Sequence, residues 1–561
     1  MNWLRLSPSR LGIVQTWFGL CARCSVDWQN HALIRLIIPF TLGMIGANLF
    51  ISHMNMVVLF ILCCAVLAFS FFLMKPSIQH DAKFGIVAMV LFFLIGMMLY
   101  TGKYQRIANS IPTDTTFCRG ILTERPKEKA QSWALKLEQE NGTHLFLLYI
   151  GKNWEVPEQD STTFASLQIG DTILANIRHL NATNLCEDQT FKIYNTNLFH
   201  QGICATAYTP HYQWLVRPCQ TERTFLTSVK ALHERLHDIY DDHGINGEAG
   251  SIIEAMTIGR KANLSSDTRN AYANAGISHI LALSGFHVGI IVLMIQFFFL
   301  KNIMPFRWQW ISNLLIIATL WCYALLTGMS PSLVRATTMF TILLLCQSFS
   351  RENIGINSCA FAFFFMLCIN PFYLHNIGFQ LSFIAVGGIC LYAQRITHSC
   401  PTHNPLIRFF WSLIFITFIC ALFTAPLVAY YFGKFTLISL VSNLIIFPFV
   451  YLLIGASILW WVFLWCEPIN NVLTDLLNWT ANTLNSIVER LSSLPFATIE
   501  WHPNIFTTLI CYVLLLVLSY FFLERFDFTF RQTKKARTSI ITATTPKAMN
   551  AQTVSHQYAS Q

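Results

Sequence analysis

GISHILALSGFHVG, residues 276–289, decides how the rest of the chain is read. It opens an apolar run that continues to about residue 300, enough for a membrane-crossing helix of roughly 20 residues. Yet two serines and two histidines fall within ten of its residues, 278–287. Polar side chains at membrane depth are costly and usually face a cavity or a partner. On a helix turning 100° per residue, Ser278, Gly285 and Gly289 lie within about 40° of one another. That small face lets a neighbouring helix approach through Gly285-x-x-x-Gly289. Gly276, His279, Ser284 and His287 spread over an opposite arc of about 140°. The expectation is a helix that packs by one face and lines a polar path with the other. The competing account is plain hydrogen bonding of Ser and His to neighbouring helices.

The surrounding composition demands a membrane. Of 561 residues, 54% are hydrophobic, 12% are charged and 47 are Phe; mean hydropathy is +0.49. The charged share is about half that of a soluble domain, and no water-soluble fold buries so much apolar surface. A soluble enzyme, a disordered chain and a disulfide-stapled secreted domain are excluded. Apolar runs suggest spans at about 33–51, 54–74, 84–101, 277–300, 309–328, 331–349, 355–374, 376–394, 408–430 and 505–523. The stretch 436–466 carries Pro448 near its middle and reads as a re-entrant or broken hairpin. Lys and Arg in short loops set orientation. Arg5, Arg10 and Arg23, Lys75 and Lys83, Lys301 and Arg307, Arg351, Arg395 and Arg408, and the tail from Arg525 to Lys547 all fall inside. Both ends inside requires an even number of crossings, so 436–466 crosses zero times or twice. One long helix there would break the parity. The fold class is a polytopic α-helical membrane protein of about 10–12 spans, with an external β-rich domain after the third.

That insert, 102–225, shows strand signals. Trp133, Leu135 and Leu137 alternate with polar residues, Asn141-Gly142 is a hairpin turn, and His144–Ile150 and Thr172–Ile177 follow as strands. A small barrel or sandwich is expected. Its 12 basic and 12 acidic residues cancel, so there is no basic excess of the kind a nucleic-acid module shows. Cys118, Cys186, Cys204 and Cys219 lie on the outside, where disulfides persist; one or two disulfides and free thiols both fit. Cys21-x-x-Cys24 in the N-terminal tail reads as incidental.

Three further polar clusters interrupt the spans. Ser330-Pro331-Ser332 suits a helix start. Arg335 then sits about one turn in, able to snorkel to the interface or to hold a phosphate. Asn370-Pro371 and His375 lead to Gln380 and Ser382. Thr424-Ala-Pro426 leads through Lys434 and Ser442 to Asn443. Together with 276–289 these clusters could ring one opening on the outer side. Ser265 or Ser266 is a good helix N-cap just upstream. No phosphate loop, no metal-spaced His/Cys/Asp set, no nucleophile elbow and no mid-span carboxylate appears. No catalytic residue, metal or cofactor is assigned.

At these residues the chain resembles the ComEC family of competence proteins. GISHILALSGFHVG (276–289), TGMSPSLVRA (327–336), NPFYLHNIGFQLSFIAVGG (370–388) and TAPLVAYYFGKF (424–435) with SNLIIFP (442–448) are similar to four of its motifs. FKIYNTNLFHQGI (191–203) resembles the segment closing its external OB-like domain. The resemblance implies a channel in the bacterial inner membrane that passes single-stranded DNA into the cytoplasm during natural transformation. It carries Ser278, His279, Ser284, Gly285 and His287 into the first motif, Ser330, Ser332 and Arg335 into the second, Gln380 and Ser382 into the third and Asn443 into the fourth. Longer members add a metallo-β-lactamase-like domain whose H-x-H-x-D-H signature is absent from this sequence, so strand degradation is expected of a separate nuclease. Before Thr424, Cys420, Ala421 and Leu422 stand where a polar residue is expected.

The expected organisation is a cytoplasmic tail (1–32), three spans (33–101), an external OB-like domain (102–225), amphipathic or interfacial helices (226–275), the channel domain (276–524) and a basic tail (525–561). Expected partners are single-stranded DNA, membrane lipid, a periplasmic DNA receptor, a separate nuclease, cytosolic DNA-binding or motor proteins and further copies of the chain. The rival functions are a transporter of a small anion or lipid and a non-transporting scaffold of a surface complex.

Overall fold

The computed structural model describes residues 32–50, 56–72, 80–109, 117–139, 145–152, 164, 166–183, 189–211, 213–218, 225–261, 263–296, 309–349, 354–398, 404–494 and 498–521. Apolar helices α1 (Ala32–Leu49), α2 (Met56–Phe72) and α3 (His80–Ala108) come first. Strands β1 (Phe117–Leu122), β2 (Lys127–Glu128), β3 (Ser132–Gln139), β4 (Leu145–Gly151), β5 (Thr172–Asn176) and β6 (His179–Ala182) follow, then α4 (Gln189–His200), β7 (Ile203–Thr209) and β8 (Trp214–Arg217). The two strand runs seen at Trp133–Leu137 and His144–Ile150 are β3 and β4, paired antiparallel from Glu138↔Leu145 to Ser132↔Gly151.

The sheet closes on itself. β3 pairs with β1 and β4, and β4 runs parallel to β7. β5 and β6 are two halves of one bent strand: β5 pairs with β1 and β6 with β7. Alternate residues point inward, as the period of two requires, and Leu122, Leu135, Leu137, Phe146, Leu148, Ile150 and Ile173 fill the interior. Cys118 and Cys204 are thiols in this interior, Cys204 donating to the Leu145 carbonyl at 3.3 Å; burial pushes the Cys118 thiol up to about 12. Cys186 and Cys219 lie outside the described residues.

An aromatic layer docks the barrel onto helices. Phe199 and His200, at the end of α4, meet Tyr104 and Tyr100 of α3 and Phe372 and His375 further on. His200 and His375 stack at 4.2 Å. The Tyr100 hydroxyl donates to Asn48 Oδ1 at 2.7 Å, and faces His375 Nε2 at 3.2 Å and His200 Nε2 at 3.4 Å. Tyr has one proton to give, so both imidazoles are assigned the Nε2–H form and donate to the phenol oxygen.

Then come α5 (Phe225–Asp242), α6 (Gly247–Thr257), α7 (Ser266–Asn274), α8 (Gly285–Ile295), α9 (Gln309–Leu326), α10 (Pro331–Phe349), α11 (Ile354–Ile369), a 3-10 turn (Pro371–His375), α12 (Ile377–His398), α13 (Pro405–Phe432), β9 (Lys434–Thr436), α14 (Ser439–Val462), α15 (Glu467–Ser492) and β10 (Thr498–Glu500). Helix α16 (Ile505–Phe521) belongs to a separate compact unit of the chain. By length and composition, Gly85–Ala108, Phe410–Phe432 and Ser439–Val462 are each able to cross a membrane, and eight shorter apolar helices accompany them among the described residues. The chain is a helical membrane protein with a small sheet region.

The stretch 436–466 is not a broken hairpin: Pro448 lies inside the continuous 24-residue α14. A proline ring clashes with the preceding turn but does not have to end a helix whose other residues are held by packing. Ile446, Val450, Leu453, Ile454 and Trp460 are all buried on this helix. Helix α15 follows α14 and packs on it, which hydropathy alone does not reveal. β9 pairs antiparallel with β10, Thr436 opposite Thr498 and Lys434 opposite Glu500, so the chain leaving α15 returns to the level at which α14 began. With 26 residues, α15 is roughly 39 Å long. Its buried Leu477, Ala481, Leu484 and Val488 repeat at helical spacing. They join Ile252, Ile253 and Met256 of α6 and the buried face of α14 in one core. At the turn, Trp460 donates to Thr474 Oγ1 at 2.9 Å.

Candidate functional site

Residues 276–289 are not one helix: 276–284 form a turn, and α8 starts at Gly285. Helix α7 is capped at its start by Ser265, whose hydroxyl accepts from Thr268 N–H at 3.0 Å. It ends at Gly276, φ +74°, where Gly276 N–H reaches Ala273 O and Ile277 N–H reaches Tyr272 O. Glycine is the residue that tolerates this left-handed end. The wheel that grouped Ser278 with Gly285 therefore does not apply.

Ser284 is the N-cap of α8. Its N–H donates to His287 Nδ1 at 3.3 Å, and its hydroxyl lies 2.9 Å from the same nitrogen. Nδ1 is thus the acceptor and the ring proton is assigned to Nε2. His287 is fully buried, and Nε2 has no partner among the described residues. A hydroxyl on an imidazole has nucleophile–base spacing. Here the same bond is the helix cap, and among the described residues no carboxylate orients the ring.

The four motif stretches touch in a closed cycle. A Cβ on Gly285 would stand 3.7 Å from Ala336 Cβ, and one on Gly289 would stand 3.7 Å from the Phe340 ring. The first stretch thus packs its Gly-x-x-x-Gly face on α10 of the second. Arg335 of α10 reaches the third: its Nη2 lies 2.8 Å from where a Cβ on Gly378 would be. Gln380 of the third accepts from the Tyr431 hydroxyl at 3.0 Å at the end of α13, and donates to Leu374 O at 2.7 Å. The cycle closes through the segment joining the two halves of the fourth, since a Cβ on Gly276 would stand 2.6 Å from Ser439 Cβ and 3.0 Å from Thr436 Cβ.

Within this ring several polar atoms, each able to donate a hydrogen bond, have no protein partner among the described residues. They are His287 Nε2, Arg335 Nε and the hydroxyls of Ser330, Thr337 and Ser442. Buried polar groups are normally hydrogen-bonded, so such a group calls for an explanation. Ser278, His279, Ser332, Ser382 and Asn443 belong to the same stretches, are at least partly exposed, and make no side-chain hydrogen bond among the described residues. Ser330 precedes α10 and Pro331 is its first residue, as the sequence suggested. Gly328 and Met329 just before it are both left-handed, φ 72° and 53°. An L residue there is uncommon, and such residues gather at functional sites.

Sequence reasoning missed the carboxylates of α5–α7 and α15. Asp241, Glu248, Asp267 and Glu489 line a polar cleft of about 900 Å³ with Asn246, Ser251 and Asn263. Glu248 accepts from Thr268 Oγ1, and Asn485 donates to Glu489 at 3.0 Å. Such a surface repels a polyanion. Beside it, His237 Nδ1 lies 2.7 Å from Glu254 Oε1 and His237 Nε2 lies 3.5 Å from Asp241 Oδ2. These three could hold a metal by spacing. Both ring nitrogens, however, are already directed at carboxylates. Burial pushes the Glu254 carboxyl up, against the pull of His237. The i, i+4 pair His237 and Asp241 was visible in the sequence; Glu254 comes from the next helix and was not.

Residues 256–525 match the family model described as Competence protein. Over 402 residues the chain is 23% identical to ComE operon protein 3 of Bacillus subtilis, covering 69% of this chain and 47% of that protein. It is 26% identical over 226 residues to Recombination protein 2 of Haemophilus influenzae, covering 38% and 28%. It is 28% identical over 199 residues to an uncharacterized protein of Aquifex aeolicus, covering 32% and 46%. The chain therefore spans less than half the length of these relatives. No solved structure matches it.

Proposed function

We propose that the chain is a competence protein of the ComEC family, a reading supported by the match of residues 256–525 to the Competence protein model, and that it passes single-stranded DNA across the bacterial inner membrane during natural transformation. The observation that carries this reading is the ring. Four separated stretches meet in one cycle of contacts, and they bring together hydroxyl, imidazole and guanidinium groups that lack protein partners among the described residues. A strand backbone presents acceptors at every phosphate, and hydroxyl, imidazole and guanidinium donors along a path exchange them without base specificity. The closed barrel, with one parallel pair among antiparallel ones, supports an OB-like role in receiving an unpaired strand outside the membrane.

We assign no nuclease or ATPase step to the chain. Its partners are the strand, membrane lipid, a periplasmic DNA receptor, a separate nuclease and a cytosolic motor or DNA-binding protein that supplies the driving force. A small-anion or lipid transporter would need a closed pocket, and a scaffold would tolerate alanine throughout the ring. The test is delivery of labelled DNA to the cytoplasm of a strain lacking the gene. DNA should reach the periplasm and stop there; normal delivery would end the channel reading.

A further inference from the structure

Arg335 is a buried charge without a counter-ion among the described residues. It is 8% exposed, and among those residues no carboxylate pairs with it and its Nε has no partner. Its guanidinium does not turn away to the interface, as a snorkelling side chain would. It lies against the first turn of the 22-residue α12, with Nη2 at Gly378. That turn is itself positive. Asn376 caps it by accepting from Phe379 N–H at 3.0 Å, while the N–H groups of Ile377 and Gly378 are among those a helix start leaves without intrahelical acceptors. A cation and the positive end of a helix dipole side by side repel each other. A buried unpaired charge is also costly. Both penalties fall if an anion bridges the guanidinium and the turn's free N–H groups.

We propose that Arg335 and the first turn of α12 form a binding site for one phosphodiester, occupied by a backbone phosphate of the strand in transit. A planar guanidinium meets the two non-bridging oxygens of such a group, and helix N-terminal amides donate to the same oxygens through their remaining lone pairs. Gly378 is part of the site because a side chain there would enter the space of Nη2. Only the identity of the occupant rests on the DNA reading; the phosphodiester chemistry rests on the geometry. The strand is favoured over a lipid headgroup because Arg335 lies where the second and third motif stretches meet, not on an exposed apolar face.

The test uses the full chain in maltoside detergent, read by unfolding midpoint and by binding of labelled dT20 across a salt series. Without a probe, Arg335→Met should raise the midpoint, since it removes an unpaired charge. dT20 should raise the wild-type midpoint, and a methylphosphonate dT20 with an uncharged backbone should raise it less. Arg335→Met and Gly378→Ala should bind dT20 several-fold more weakly, and the slope of log affinity against log salt should fall by about 0.7 for the lost phosphate contact in Arg335→Met. Arg335→Lys, a gentler variant, should keep the slope and lose affinity. Equal affinity and slope in wild type and Arg335→Met would overturn the site. A midpoint shift by phosphatidylglycerol but not dT20, lost in Arg335→Met, would overturn the strand as its occupant. These binding outcomes do not depend on DNA delivery in cells, so failure of the site and failure of the channel reading are told apart.

Discussion

Replacing Gly276 by alanine tests the closure of the ring at its tightest point. The residue has φ +74°, where an L side chain costs roughly 1–2 kcal/mol. Its new Cβ would also stand 2.6 Å from Ser439 Cβ and 3.0 Å from Thr436 Cβ. Overpacking of that kind costs about 1–3 kcal/mol. The two penalties are independent, one conformational and one steric, so Gly276→Ala should destabilise by roughly 2–5 kcal/mol. The matched control is Gly387→Ala. Gly387 lies inside α12 with nothing within 4 Å of the added atom, and alanine is favoured over glycine in a helix by about 0.8–1 kcal/mol. The assay is the unfolding midpoint of each purified variant beside wild type, with DNA delivery measured in cells. Gly276→Ala should lower the midpoint by several degrees and impair delivery; Gly387→Ala should leave both unchanged or raise the midpoint. A Gly276→Ala protein as stable as wild type would refute the contact between the first stretch and the segment joining the two halves of the fourth.

Other outcomes follow from the same packing. Burial, with His375 beside it, lowers His200 from 6.5 to about 4, so the docked state holds the ring neutral while the unfolded chain protonates first. The stability that docking contributes should be full above pH 6.5 and fall as pH drops toward 4; His200→Gln should flatten that fall in a pH series of unfolding midpoints. Trp461→Phe removes the indole N–H that donates to Tyr240 OH at 2.9 Å; it should cost about 1–2 kcal/mol by leaving a buried oxygen under-satisfied, read by thermal unfolding. Pro448→Ala should hold or raise the midpoint because α14 is continuous; a marked loss would favour a break there.

The apolar helices and the paired strands were legible because each rests on a local signal, either a long apolar run or an alternation such as Trp133, Leu135, Leu137. α15 was not, because its apolar residues occupy one stripe and its average character is polar; the stripe Leu477, Ala481, Leu484, Val488 is the signal that could have found it. The 276–289 stretch misled for the opposite reason. Its apolar residues looked continuous, yet Gly276 and Ser284, an ending and a cap, lay inside it. Which donors lack acceptors was not legible at all. Among the described residues, α12 brings Gly378 to Arg335 and no element brings it a carboxylate, and that follows from packing of distant segments.

The central claim is that the strand passes along the four-stretch ring. The most direct measurement places a photoreactive side chain at Ser332 or Gln380, and at the exposed, apolar position Phe418 as control, and illuminates cells while labelled DNA is entering. Covalent adducts to the incoming strand at Ser332 and Gln380, with none at Phe418, are the result predicted here. Uptake that proceeds normally with no adduct at either ring position would contradict it.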